Sequence, residues 1–237
     1  MDYPKSVSLS EQSLSQTDEG LRAFMLSIFN RMTVALVVSG VTAWFTAALL
    51  GAALKGSMLS LVFALSPLVF VLVLSFGIHK LSYGAANAIF WLFAVSMGLS
   101  LATIFLTYTT ASITSTFFIT AATFASASLI GYTTKRDLTN MGMFLMVGLI
   151  GILIAAIVNI FLASSALAFA ISVIGVVIFV GLTAYDCQNL KNDYLTNGEV
   201  YGFDSPQKSA LFGALSLYLN FINIFQMLLS LLGNRQD

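Results

Sequence analysis

Seven long apolar runs constrain this chain more than any other feature. They cover residues 24–50, 57–78, 84–106, 111–132, 141–162, 166–186 and 209–232, and each meets the ~20 mostly apolar residues that a helix needs to cross a bilayer. Hydrophobic residues make up 58% of the chain and charged residues only 8%, whereas a soluble domain keeps its surface wet with about a quarter charged residues. The sequence therefore predicts an all-α integral membrane protein, a bundle of seven transmembrane helices surrounded by the lipid bilayer. Seven spans in 237 residues leave almost no room for a separate soluble domain. Residues 1–20, MDYPKSVSLSEQSLSQTDEG, are Ser-rich and lack apolar periodicity, so they read as a disordered cytoplasmic tail ahead of a transmembrane domain at 21–237. The first apolar run begins after Arg22 and is long enough to span, which reads as a retained helix and not as a signal peptide.

The formal net charge is zero, so composition offers no basic patch for nucleic acid or anionic lipid. The cations are nevertheless sorted between the ends of the spans. With a cytoplasmic N-terminus, Lys5, Arg22, Arg31, Lys80, Lys135, Arg136, Lys191 and Lys208 fall inside, and Lys55 and Arg235 outside. That eight-to-two division follows the positive-inside tendency of multi-span proteins. Seven spans then place the C-terminal GNRQD on the opposite side. The longest inside connection, 187–207, carries Lys191, Asp193, Glu199 and Asp204 and reads as a solvated loop. Cys187, the single cysteine, has no intrachain partner and reads as a buried, reduced thiol.

Within lipid, helices associate through small residues and a few polar contacts, because no water drives them together. The fifth helix offers Gly148, Gly151, Ala155 and Asn159 near one face, at spacings of three and four. The sixth offers Ser172, Gly175, Phe179, Thr183 and Asp186, so the stretch GLTAYDCQNLKND turns its aspartate toward the bundle interior. The seventh is more polar still, with Ser216, Asn220, Asn223 and Ser230 on one stripe and Gln226 beside it. Amides and hydroxyls at such depth serve either as interhelical hydrogen bonds or as the lining of an ion or substrate path.

GYTTKRDLTNMG, GLTAYDCQNLK and SLYLNFINIF, on the fourth-to-fifth connection, the sixth helix and the seventh, resemble the Bax inhibitor family, also called the transmembrane Bax inhibitor motif or LFG-like family. The likeness extends from about residue 21 to the end and includes FNRMTVALVVSGVTAWFTA and VLSFGIHKLSYG. It implies a seven-helix membrane protein with the seventh helix surrounded by the other six, and a pH-dependent passive leak of calcium. It also implies a bacterial inner-membrane location. The resemblance assigns the sensor to two carboxylates, one in a Tyr-Asp ending the sixth helix and one in a Leu-Asp-Phe-Ile-Asn of the seventh. Asp186 matches the first position, and Asn220 stands at the second. Two close carboxylates share a proton and titrate as a pair, whereas an Asp facing an Asn keeps the hydrogen bond without that coupling. In some members an arginine ends the second helix and latches onto the sixth-helix carboxylate. Here the stretch reads Gly77, Ile78, His79, Lys80, which leaves His79 and Lys80 as candidate gating cations without a planar bidentate donor.

Catalysis is poorly supplied. An intramembrane aspartyl protease needs a second aspartate as acid or base, and Asn220 cannot titrate. One histidine and one cysteine are too few for a zinc site, and no phosphate-cradling loop is present. The expectation is a protein that is not an enzyme and carries no cofactor. Calcium takes six to eight oxygens, so a weak contact at Asp186, with Asn220 and Asn223 completing the ion path and pH sensor, suits conduction more than storage. The alternative is an interaction protein that regulates a membrane protease or a stress response, which the resemblance to bacterial regulators of membrane-protein quality control also supports.

Overall fold

The computed structural model describes residues 6–54, 57–77, 80–197 and 205–236. Among them the chain forms seven helices: α1 (Ser6–Leu54), α2 (Met58–Gly77), α3 (Tyr83–Thr107), α4 (Thr110–Thr133), α5 (Thr139–Leu162), α6 (Ser165–Asn197) and α7 (Pro206–Leu232). All seven are long and apolar enough to span a membrane, as the runs predict. Two boundaries differ from the sequence reading. Helix α1 continues back to Ser6, through residues whose composition suggested a tail without secondary structure, since neither Pro nor Gly interrupts the chain between Ser6 and Glu19. Helix α6 continues past Asp186 to Asn197, because that stretch has its own packing face: Cys187, Gln188 and Leu190 are buried, and the Tyr194 ring stacks on Phe24 of α1 at 5.0 Å. The supposed solvated loop at 187–207 is thus helix for its first half, and 198–204 lie outside the described residues. Ser205 then starts α7, its hydroxyl accepting the Lys208 N–H at 3.3 Å with Pro206 directly after it.

Helix α7 occupies the centre. Half of its most apolar stretch is buried, against 11% for α2 and for α5. Helices α1, α3, α4 and α6 pack directly on α7, while α2 lies against α3 and the edge of α1, and α5 lies against α6. Four helices therefore surround α7 where the resemblance implied six, and the outer pair turns Leu, Val, Ile and Phe side chains outward. The α2 helix contains Pro67, which cannot bond the Phe63 carbonyl one turn back; the Ser66 hydroxyl donates to that carbonyl at 3.0 Å instead. At the far end of α7 the chain folds onto the α3–α4 turn. There Thr109 N–H donates to Asn234 O at 3.0 Å and Gln236 N–H donates to Thr107 O at 2.9 Å.

Small residues set how closely the helices approach. Helices α5 and α6 interlock reciprocally: Leu145 covers Gly181 and Ile178 covers Gly148, so that a methyl on either glycine would lie 2.7 Å from the covering side chain. The face predicted for α5 is rotated in consequence. Gly151 meets open space, and Asn159 accepts the Ser164 N–H at 3.1 Å to close the α5–α6 turn, where Ala163 adopts a left-handed φ of 47°. A stripe of small residues marks where close approach is allowed, but with a single neighbour only one edge of it is used. Two approaches are backbone to backbone. A methyl on Gly98 of α3 would lie 2.7 Å from the Ser39 carbonyl oxygen of α1, and one on Gly131 of α4 would lie 2.7 Å from the Ala184 carbonyl carbon of α6.

Gly131→Ala is expected to force α4 off α6 and to destabilise the bundle by about 1–3 kcal/mol, read as a lower thermal midpoint of the detergent-solubilised protein. Ala163→Gly relieves a left-handed residue and is expected to stabilise by ~1 kcal/mol. A midpoint lowered by Ala163→Gly would refute the strained turn, and an unmoved one for Gly131→Ala would refute the backbone contact.

Candidate functional site

Asp186 lies where α6 crosses α7, inside the helix and not at its end. Two α7 side chains one turn apart reach the same carboxylate oxygen: the Ser216 hydroxyl donates to Oδ2 at 2.7 Å and the Asn220 amide nitrogen donates to it at 2.8 Å. The carboxylate can only accept when ionised, which fixes the nitrogen and not the oxygen of the Asn220 amide toward it. Asp186 is half-buried and Asn220 is buried. Eight residues further along α6, Tyr194 meets Phe24, so about 12 Å of helix separates the carboxylate from that polar end of the bundle. The predicted α6 face is the one used. Ser172, Gly175, Phe179 and Thr183 are all buried, and Ser172 Oγ donates to Ser230 Oγ of α7 at 3.3 Å.

The other predicted site residues lie elsewhere. Asn223 is one turn beyond Asn220 and donates to the Leu219 carbonyl of its own helix at 2.8 Å, so it is not brought to the carboxylate. Lys80 is exposed in the turn after α2, its N–H donating to Gly77 O at 2.9 Å, and His79 falls outside the described residues. Among the described residues no three of His, Cys, Asp and Glu gather in one place. Cys187 is fully buried. Asp186, Ser216 and Asn220 together offer one ionisable acid and hard oxygens, a set that can exchange a proton and touch a cation.

Three polar contacts around this point were not legible as such. Gln188, two residues past Asp186, is buried and clasps the α4–α5 connection, accepting the Leu138 N–H at 2.8 Å and donating to the Arg136 carbonyl at 2.7 Å. In the same connection the Thr139 hydroxyl and N–H donate to Asp137, holding its carboxyl below the usual carboxylate range. Next along α6, Lys191 donates to the Tyr132 carbonyl at 2.9 Å and sits 5.0 Å above its ring. On the opposite side of α7, the buried Tyr218 hydroxyl lies 2.7 Å from Ser39 Oγ, which is also 2.7 Å from the Ala94 carbonyl of α3. Ser39 has one proton to give, so Tyr218 donates to Ser39, and Ser39 shares its proton between the Ala94 carbonyl of α3 and the Ala35 carbonyl of its own helix. Arg31 of α1 caps the arrangement, donating to Asn87 Oδ1 at 3.1 Å and to the Tyr83 hydroxyl of α3. In the sequence Gln188 and Lys191 are indistinguishable from residues of a solvated loop, because only the continued helix turns them onto α4.

The family model described as inhibitor of apoptosis-promoting Bax1 matches residues 21–237. A protein of Caulobacter vibrioides is 44% identical over 99% of this chain and 97% of its own length. Inner membrane protein YbhL of Escherichia coli K12 is 42% identical over 99% of both chains, and a protein of Rickettsia prowazekii is 40% identical over the whole of both. With a central seventh helix, the Tyr185-Asp186 pair in the interior of the sixth and similarity along its full length, this chain is a multi-pass integral membrane protein that belongs to the Bax inhibitor family.

Proposed function

We propose that this chain is a passive, calcium-permeable leak of a bacterial inner membrane whose opening follows the protonation of Asp186. One observation carries the reading: the Asp186 carboxylate, where α6 crosses α7, takes two hydrogen bonds from the central helix onto a single oxygen. A hydrogen bond to a charged partner contributes about 1.5–3 kcal/mol and a neutral one about 0.5–1.5 kcal/mol. Ionised Asp186 therefore holds α6 to α7 more firmly than protonated Asp186, and acidification loosens the crossing. A cation that enters there meets a carboxylate, an amide and a hydroxyl. These are fewer oxygens than the six to eight calcium prefers, and weak holding lets an ion leave as readily as it arrives. The sorting of cations between the two ends, the family membership and the inner-membrane name of the E. coli relative support an N-terminus and α4–α5 connection in the cytoplasm.

Protein-containing liposomes loaded with a calcium indicator test this across a pH series. The parent is expected to pass calcium faster as pH falls through the carboxyl's titration, with a rise of roughly tenfold, the equivalent of ~1.4 kcal/mol. Asp186→Asn, which fixes a neutral side chain, is expected to give the same flux at every pH. A parent no faster than empty liposomes at any pH would refute the leak, and an Asp186→Asn variant with the parental profile would move the sensor elsewhere.

Asn220→Asp places a second carboxyl where the amide lies 2.8 Å from Asp186 Oδ2. Two carboxyls that close share a proton and titrate in two coupled steps. The variant's flux profile is expected to gain a second transition; one transition at the parental pH would show that position 220 does not take part in sensing.

A further inference from the structure

Helices α1 and α4 are both neighbours of α7, yet among the described residues no Cα of α1 comes within 8 Å of a Cα of α4. The gap between them is an apolar cleft open to the outside of the bundle, with a volume of about 690 Å³. Its walls are side chains such as Met25 and Phe29 of α1 and Ala121 and Ala125 of α4, and its floor is Phe221 of α7. A second cavity of about 330 Å³ continues it along the same groove, sharing Leu36, Phe117 and Phe221 as lining. The floor is held by edge-on ring contacts, Phe117 to Phe221 at 5.6 Å and Phe124 to Phe221 at 5.5 Å.

The two ends of the first cleft differ in chemistry. One end is closed by Arg22, an exposed guanidinium, beside Tyr132, over which Lys191 is fixed. The other end is Leu36 and Phe117, wholly apolar. Arg22 to Leu36 is fourteen residues of α1, or about 21 Å of helix. One leaflet of a bilayer supplies about 15 Å of hydrocarbon with a headgroup layer above it. A slot of that depth, apolar for most of its length and cationic at the interface, matches one lipid molecule standing in its own leaflet. Guanidinium forms paired hydrogen bonds with phosphate oxygens.

We infer that the α1–α4 cleft is a binding site for a single resident phospholipid, with an acyl chain on Phe221 and the phosphate on Arg22. The lipid fills the space between the α1 and α4 backbones and braces α7 at Phe221, one residue from Asn220. Asp18 and Glu19 lie a turn before Arg22 on α1 and are exposed, so the site favours the shared phosphate more than it discriminates between anionic and zwitterionic headgroups.

A phospholipid carrying a photoreactive diazirine in its acyl chain, incorporated with the full chain into phosphatidylethanolamine and phosphatidylglycerol liposomes, tests the site by mapping the labelled peptides. Label is expected severalfold denser on α1 and α4 cleft residues than on the outward face of α5, and it should fall to the α5 level in Ala125→Trp, whose ring fills the slot from an exposed position. Arg22→Gln is expected to weaken cleft labelling by the phospholipid while leaving labelling by a diazirine diacylglycerol, which lacks phosphate, unchanged. Inorganic phosphate alone is expected not to compete. Equal label on α5 and on the cleft would reduce the site to ordinary boundary lipid and overturn the inference, as would unchanged cleft labelling in a folded Ala125→Trp protein. Loss of label to inorganic phosphate would overturn the requirement for an acyl chain.

Discussion

An ionisable group in hydrocarbon is costly unless other groups share its charge, and the arrangement around Asp186 follows from that cost. Its oxygen takes a hydroxyl and an amide from one face of α7, so the central helix must present Ser216 and Asn220 at one rotation and one height. The opposite face of α7 is fixed in turn by Tyr218, whose hydroxyl ends on Ser39 and thereby on the backbone of α3. Clamped from both sides, α7 has little freedom to turn without breaking a buried polar contact.

The rest of the bundle keeps α6 in place for that pairing. Gly131 lets the backbone of α4 lie on the backbone of α6 at Ala184, two residues before Asp186. Gln188, two residues after it, ties α6 to the α4–α5 connection. The carboxylate therefore sits between two fixed points on its own helix, and the outer helix α5 adds a row of reciprocal glycine contacts behind them. Polar side chains left outside this network mostly return their hydroxyls to their own helix, as Thr123 and Ser126 of α4 do, which lets them lie near lipid without an unpaired donor.

Much of this was written in the periodicity. The runs located all seven helices, and spacings of three and four identified the α6 face from Ser172 to Asp186 correctly, because a helix buries what lies on one side of it whatever its neighbours are. Equal spacing on α5 predicts an interface at Gly151 and Asn159 that these two residues do not form. Spacing there describes a surface available for contact, and the neighbour's position decides which part is used. Ser216 and Asn220 were visible as members of a polar stripe, yet nothing in the stripe separates them from Asn223, which turned back to its own backbone.

What the sequence determined by itself was the number of spans, their helical state and the presence of one acid among apolar residues, since these follow from lengths and transfer costs along the chain. What the tertiary structure decided was pairing: the continuation of α6 to Asn197, the clasp of Gln188 on a distant connection, four neighbours for α7 instead of six, and the open cleft between α1 and α4. Each depends on the rotation and height of one helix against another. Close packing and short hydrogen bonds between segments far apart in the chain fix those two quantities, and no local pattern of residues carries them.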